Sequence, residues 1–378
     1  MTKHLAFIAL AAAALAACEQ NRDISNPAAS FETSLEAQRV LGAVEGWRAV
    51  YTLTNQVAGN AVAVFNRAAD GTLSAAGTIA TGGTGTGGSL GSQGAVALSD
   101  DGRRLFAVNA GSNDVSVFDV GPTGLSLASQ TASGGTLPIS LTAHGSLLYV
   151  LNAGGAGNIS GFSVGATGGL TPIAGSTQPL SGTNVGPAQV SFSPDGRRLV
   201  VTEKNTNLLD VYAVDANGAA SGRASVASAG GTPFGFAFGH RNDVFVSEAT
   251  GSASSYVLDA GNLSLVSGAV LTHRGAPCWA VVTDDGRFGY TGNGSGSVSA
   301  FAIAPSGAIS LLDADGATAV VSGGVNDIAL SGNSRYLYVL GTGATPAIYA
   351  FRLEADGHLN PLGPIGELPA GTRGLAAR

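Results

Sequence analysis

Ser193-Pro194-Asp195-Gly196-Arg197-Arg198-Leu199-Val200-Val201 reads as a tight Asp-Gly turn that delivers the chain into an apolar strand. Before it, Gln189-Val190-Ser191-Phe192-Ser193 alternates as a strand should. After it come Leu209-Asp210-Val211-Tyr212-Ala213 and a weaker outer strand near Ser225, with Asp215-Ala216-Asn217-Gly218 turning the chain between them. The unit recurs. Clear copies of its turn are Asp101-Gly102-Arg103 and Asp285-Gly286-Arg287, and degraded ones are His144-Gly145, His240-Arg241 and Asn333-Ser334. With Gly102, Gly145, Gly196, Arg241, Gly286 and Ser334 as register marks, the spacings are 43, 51, 45, 45 and 48 residues. That is the period of a four-stranded propeller blade. No sustained helical period interrupts it, so the expected class is all-β.

The first repeat is one strand short. Val50 to Thr54, Val62 to Asn66 and Leu73 to Ile79 supply three strands, and nothing before Arg48 resembles an inner one. The missing strand stands at the other end of the chain, in Arg373-Gly374-Leu375-Ala376-Ala377. The expected fold is therefore a seven-bladed β-propeller in which the C-terminal strand closes the first blade and removes its open edge. The expected domain order is a signal at 1–18, a polar tether at 19–48 and the propeller at 49–378.

Glycine makes up 57 of 378 residues and charged residues 11%, a composition of strands, turns and small buried side chains. The net charge is −7 and the 18 basic residues form no stripe, which argues against a nucleic-acid partner. Lys3 and His4 precede an apolar run from Leu5 to Leu15, too short to span a bilayer, which ends in Leu15-Ala16-Ala17-Cys18. This looks like a bacterial lipoprotein signal, with lipid on Cys18 after cleavage. Glu19 at the next position points to the outer membrane, with the protein facing the periplasm as a monomer anchored by lipid. Ser34 to Leu41 reads as a short helix within the tether. With Cys18 lipidated, Cys278 has no partner for a disulfide, and no catalytic cysteine signature surrounds it; a buried structural thiol is expected.

Two familiar patterns lack their context. Gly83-Thr84-Gly85-Thr86-Gly87-Gly88 fits a dinucleotide fingerprint and Gly87-Gly88-Ser89-Leu90-Gly91 a serine-hydrolase elbow, but each needs a helix to follow and here another strand does. Asp313-Ala314-Asp315-Gly316 opens like a calcium loop without the later carboxylate and reads as a hairpin turn. The five histidines are scattered and no haem motif exists, so neither a metal nor a cofactor is expected.

The residues seven places after each turn mark are Asn55 (counted from Arg48), Asn109, Asn152, Glu203, Glu248, Asn293 and Gly341. In a closed ring they share one height around the axis. Two accounts stay open. Either each caps its own turn, with Glu203 held by Lys204 or a backbone amide, or Glu203 and Glu248 form a carboxylate pair at a channel mouth.

The Ser193 to Val201 segment, with Asn109-Ala110-Gly111-Ser112-Asn113-Asp114-Val115-Ser116-Val117-Phe118, resembles the seven-bladed lactonase-like propellers. That family includes propeller-type 6-phosphogluconolactonases and carboxymuconate cyclases and shades into YVTN-repeat surface proteins. The resemblance covers about residues 49 to 378 and implies a hydrolase of lactone-type substrates. One departure bears on activity: where active members carry a Pro-His-x-His-like stretch before the turn, this chain has Gly186-Pro187-Ala188-Gln189. Gln189 cannot exchange a proton as histidine does. The hydrolase reading then rests on Glu203 or Glu248 as base and Arg274 as the oxyanion or carboxylate partner. Gln189, Asn109, Asn152, Asn293 and His273 would bind a lactone or sugar derivative. The alternative is a non-catalytic propeller that binds a glycan, a metabolite or an envelope protein.

Overall fold

The computed structural model describes residues 48–378. The signal with Cys18 and the tether, including the helix expected over Ser34 to Leu41, lie outside the described residues. Seven antiparallel sheets follow one another around a central axis. Their inner strands are Val96–Leu98, Pro138–His144, Pro187–Phe192, Pro233–Phe238, Pro277–Val282 and Val325–Leu330 in blades 2 to 7, and Arg373–Ala377 in blade 1. That last strand pairs with Ala49–Leu53, so the chain end closes the ring as the short first repeat requires. Blades 3 and 6 depart from the simple pattern, because their outer strands are each broken into two short pieces. Asp313-Ala314-Asp315-Gly316 lies in the break of blade 6, where the Gly316 N–H donates to Asp313 O; it turns the chain inside one strand rather than between two. Among the described residues the helical content is one 3-10 turn, His240–Asn242.

The turn motif works by a double cap. In blade 4 Ser193 Oγ donates to Asp195 Oδ1 and accepts the Arg198 N–H, while Asp195 Oδ1 accepts the Arg197 N–H. Ser99 with Asp101 and Thr283 with Asp285 repeat this, as do Ser331 and Asn333 in the degraded copy. All six register marks have left-handed backbone: φ is 66° at Gly102, 56° at Gly145, 70° at Gly196, 58° at Arg241, 66° at Gly286 and 50° at Ser334. The turn geometry has thus outlasted the glycine that favours it.

The apolar core lies between blades. Val200, Leu209 and Val211 of blade 4 pack on Phe236, Val244, Val246 and Tyr256 of blade 5, and comparable clusters join other neighbours. Second-strand tyrosines tie each of three blades to the next: Tyr149 Oη donates to Gly218 O, Tyr290 Oη to Gly357 O and Tyr338 Oη to Gly71 O. Near the start of the inner strands of blades 3 to 7 the register slips, and the residues just past the slip include Gln189, Trp279 and Asp327. Such bulges re-aim side chains. Here they set the polar groups of the channel.

Candidate functional site

The ring seven residues past the turns is a set of blade-internal knots. Asn109 Nδ2 donates to Asp114 and Ser116, Asn152 Nδ2 to Asn158 and Ser160, and Asn293 Nδ2 to Ser297 and Ser299. Each reaches the third strand of its own blade and is fully buried. The knots press on the connector that enters their own blade so closely that a Cβ on Gly83, Gly135 or Gly230 would collide with Asn109, Asn152 or Glu248. Hence the paired glycines Gly82-Gly83, Gly134-Gly135 and Gly230-Gly231 ahead of the next inner strand.

Both glutamates follow the same plan. Glu248 accepts from Ser228 Oγ at 2.9 Å, the Gly230 N–H at 2.7 Å, Ser252 Oγ at 2.6 Å and Ser254 Oγ at 2.6 Å. Glu203 accepts from the Ser181 N–H at 2.9 Å, the Ser181 hydroxyl and Thr206 Oγ1 at 2.6 Å. Its neighbour in charge is Asp210 of its own blade, not Glu248. Burial, helped by the Glu203 charge and hydrogen bond, pushes the Asp210 carboxyl up to about 6, against the pull of Ser225 and Arg223. Lys204 turns away from Glu203 altogether.

The other sequence candidates are dispersed. Gln189 is buried and held at both ends of its amide: its Nε2 donates to Phe236 O and its Oε1 accepts the Phe236 N–H, which stitches blade 4 to blade 5. Arg274 is half-buried on the rim of blade 6, ion-paired to Asp315 at 2.7 Å. His273 is exposed with φ 55°. Cys278 is buried, and burial pushes its thiol up to about 12, which suits an inert packing role. Among the described residues no cluster of three or more His, Cys, Asp or Glu could hold a metal ion.

What the sequence did not reveal is the use of the glycine-rich connector Gly83 to Gly94. It leaves its base between blades 1 and 2, where the Thr86 N–H donates to Asn55 Oδ1 and Asn55 Nδ2 donates to Gly88 O. Gly91 O then accepts from Lys204 Nζ of blade 4, and Ser92 O from Trp279 Nε1 of blade 6. Ser92 Oγ donates to Ile139 O of blade 3. Gln93 closes the crossing: its Nε2 donates to Ala280 O and its Oε1 accepts the Ala280 N–H. A segment bound to blades 1, 3, 4 and 6 lies across the channel at the loop face, as a strap. Lys204 pins it, with a second bond to Pro187 O at 3.0 Å and its ammonium over the Phe234 ring at 4.9 Å. Burial lowers the Lys204 pKa to about 8.

Beneath the strap the channel holds a cavity of about 320 Å³, lined by inner strands of six blades. Asp327 is its one ionisable lining residue; burial raises the Asp327 pKa well above the ordinary carboxyl value. The signal for it was a lone acid inside the apolar run Val325 to Leu330. For Lys204 it was a charged residue at a strand end in a chain poor in charge.

The family model described as the seven-bladed β-propeller lactonases matches residues 49–185. No curated protein matches the chain. A putative 6-phosphogluconolactonase from Bacteroides fragilis is similar in structure, with 18% identity and a TM-score of 0.70 over 88% of this chain and 98% of that one. The Pseudomonas aeruginosa periplasmic gluconolactonase has 18% identity and a TM-score of 0.67 over 87% and 99%. A hypothetical selenium-binding protein from Sulfolobus tokodaii reaches 0.64 at 11% identity over 87% and 93%. At these identities the likeness is one of fold.

Proposed function

We propose that this chain, a seven-bladed lactonase-like propeller, is a small-molecule binding module and not a hydrolase. The observation behind the reading is that Glu203 and Glu248 accept their hydrogen bonds inside the ring, and Gln189 is pinned to Phe236, while the strap covers the mouth where they were expected to act. A general base needs a lone pair free for water and a water within reach. A carboxylate that already accepts four donors, as Glu248 does, offers neither.

The test is a panel of aliphatic and sugar lactones, ring opening being followed by proton release. Wild-type protein should open none faster than buffer does. Hydrolysis that falls about a hundredfold or more in Glu203→Gln or Glu248→Gln would overturn the reading.

Hydrolysis of a lactone is the second reading, favoured by the family match over 49–185 and by neighbours named as gluconolactonases. We further propose that the protein is anchored in the bacterial envelope by lipid on Cys18. Support comes from Leu15-Ala16-Ala17-Cys18 after a short apolar run and from Glu19. Cys18→Ser should leave the precursor uncleaved at that site, and an unchanged mature N-terminus in the variant would reject lipidation.

A further inference from the structure

The inner strands change exposure along their length in the same sense. Residues near their starts are buried, as at Ile139, Ala188, Val325 and Gly374. Their last are half-exposed, as at Leu98, Ala143, Ser191, Val281, Leu330 and Ala377. The buried ends lie under the strap, and the exposed ends adjoin the Asp-Gly-Arg turns. The channel is therefore blind: closed at the loop face, open at the turn face.

We infer that this blind channel is a binding site, entered from the turn face, for a small uncharged molecule that presents a hydrogen-bond acceptor such as a carbonyl to Asp327. The inference rests on the binding-module reading and names its site and ligand class. Six blades each give the wall at least one apolar side chain, among them Val96, Leu141, Val190, Val281, Ile328 and Leu375. A cavity of about 320 Å³ falls within the range of small-ligand sites. Asp327 is 1% exposed and no basic residue lines the cavity with it. An anion would meet no counter-charge there. Burial without a counter-charge favours the protonated, uncharged form of this carboxyl. Its hydrogen bonds are accepted ones, from the backbone N–H groups of Ile328 and Leu375, so its own proton is left to donate. Gln93 and Gln189, the amides of the lining, are held in place by a pair of backbone hydrogen bonds each, which leaves one N–H of either beside Asp327 as a further donor.

The experiment uses the full chain with δ-valerolactone as probe and saturation-transfer NMR as readout, with the ring-opened 5-hydroxyvalerate anion beside it. The lactone should receive saturation and the anion should not. Ala143→Trp, which lays an indole across the open end, should weaken binding at least about tenfold, a loss of about 1.4 kcal/mol. Asp327→Leu should weaken it roughly threefold to tenfold, the scale of one net hydrogen bond, while Asp327→Asn keeps a donor and should stay within about twofold. Melting curves of all three variants exclude misfolding as the cause. No transfer to the lactone, or transfer indifferent to both Ala143→Trp and Asp327→Leu, would overturn the site. Ring opening by wild type that Ala143→Trp abolishes would instead keep the site and sink the binding-module reading.

Discussion

Asp210 is hydrogen-bonded to Glu203 inside blade 4, two carboxyl groups without solvent exposure, and Asp210 holds its proton up to about pH 6. The paired acids of the structure are thus Glu203 and Asp210 within one blade, and not the Glu203 and Glu248 that the sequence suggested. An unfolded aspartate ionises near pH 4. Between there and about 6 the unfolded chain has released a proton that the fold retains, so stability falls as pH rises through this interval and stays lower above it. Asp210→Asn supplies a permanent donor to Glu203. It should raise the melting temperature at pH 8, change it little at pH 5, and flatten the wild-type decline between those values. A parallel pH profile in the variant would show that the pair is not what titrates.

Glu248 makes a different claim because all its partners are neutral donors. Glu248→Gln keeps the shape and should cost about 1 kcal/mol in chemical denaturation, since serine hydroxyls can turn to accept from the amide. Glu248→Ala strands four donors, three of them the buried hydroxyls of Ser228, Ser252 and Ser254, and should cost about 3 kcal/mol or more. Equal costs for the two would contradict the hydrogen-bonded knot.

The fold was legible because turn and strand patterns are local. A Ser or Thr two residues before Asp, with Gly next, dictates its own double cap, and Ser334 or Arg241 could be recognised as degraded copies from spacing alone. The site was less legible because it depends on which way a side chain turns. Glu203 and Glu248 stood out by type, yet their roles were set by Ser181, Ser228, Ser252 and Ser254, which no motif marks. The strap was hidden for the opposite reason. Gly83 to Gly94 has almost no side chains to read, and its path is fixed by backbone carbonyls that meet Lys204 and Trp279 from distant repeats.

Closure of the ring rests on few residues. Val50, Tyr51 and Leu53 pair with Ala377, Ala376 and Arg373, Thr52 Oγ1 donates to Gly374 O at 2.6 Å, and Arg67 donates to Arg378 O at 2.7 and 3.0 Å. Deletion of residues 371–378 should expose the Ala49–Leu53 edge of blade 1 and produce aggregation on light scattering together with a large drop in melting temperature. A truncated chain that stays monomeric and melts with wild type would refute closure by this strand.

The strap gives the sharpest local test. Lys204→Met keeps the length of the side chain and its contact with Phe234, but removes the donor to Gly91 and Pro187 and the ammonium over the ring. The blades themselves are packed elsewhere, so the melting temperature should move by no more than about 1 °C, the shift of roughly 0.7 kcal/mol in a domain of this size. Amide exchange should respond instead. The Gln93 N–H, which donates to Ala188 O, should exchange about tenfold faster, because opening of a segment costs only the contacts that hold it. The Val190 N–H, held by Ser140 Oγ on the channel wall, should not change. Unchanged exchange at Gln93 would mean that Asn55, Trp279 and the Gln93 side chain hold the strap without the lysine. Equal acceleration at Gln93 and Val190 would mean that Lys204 supports the whole ring and not the strap alone.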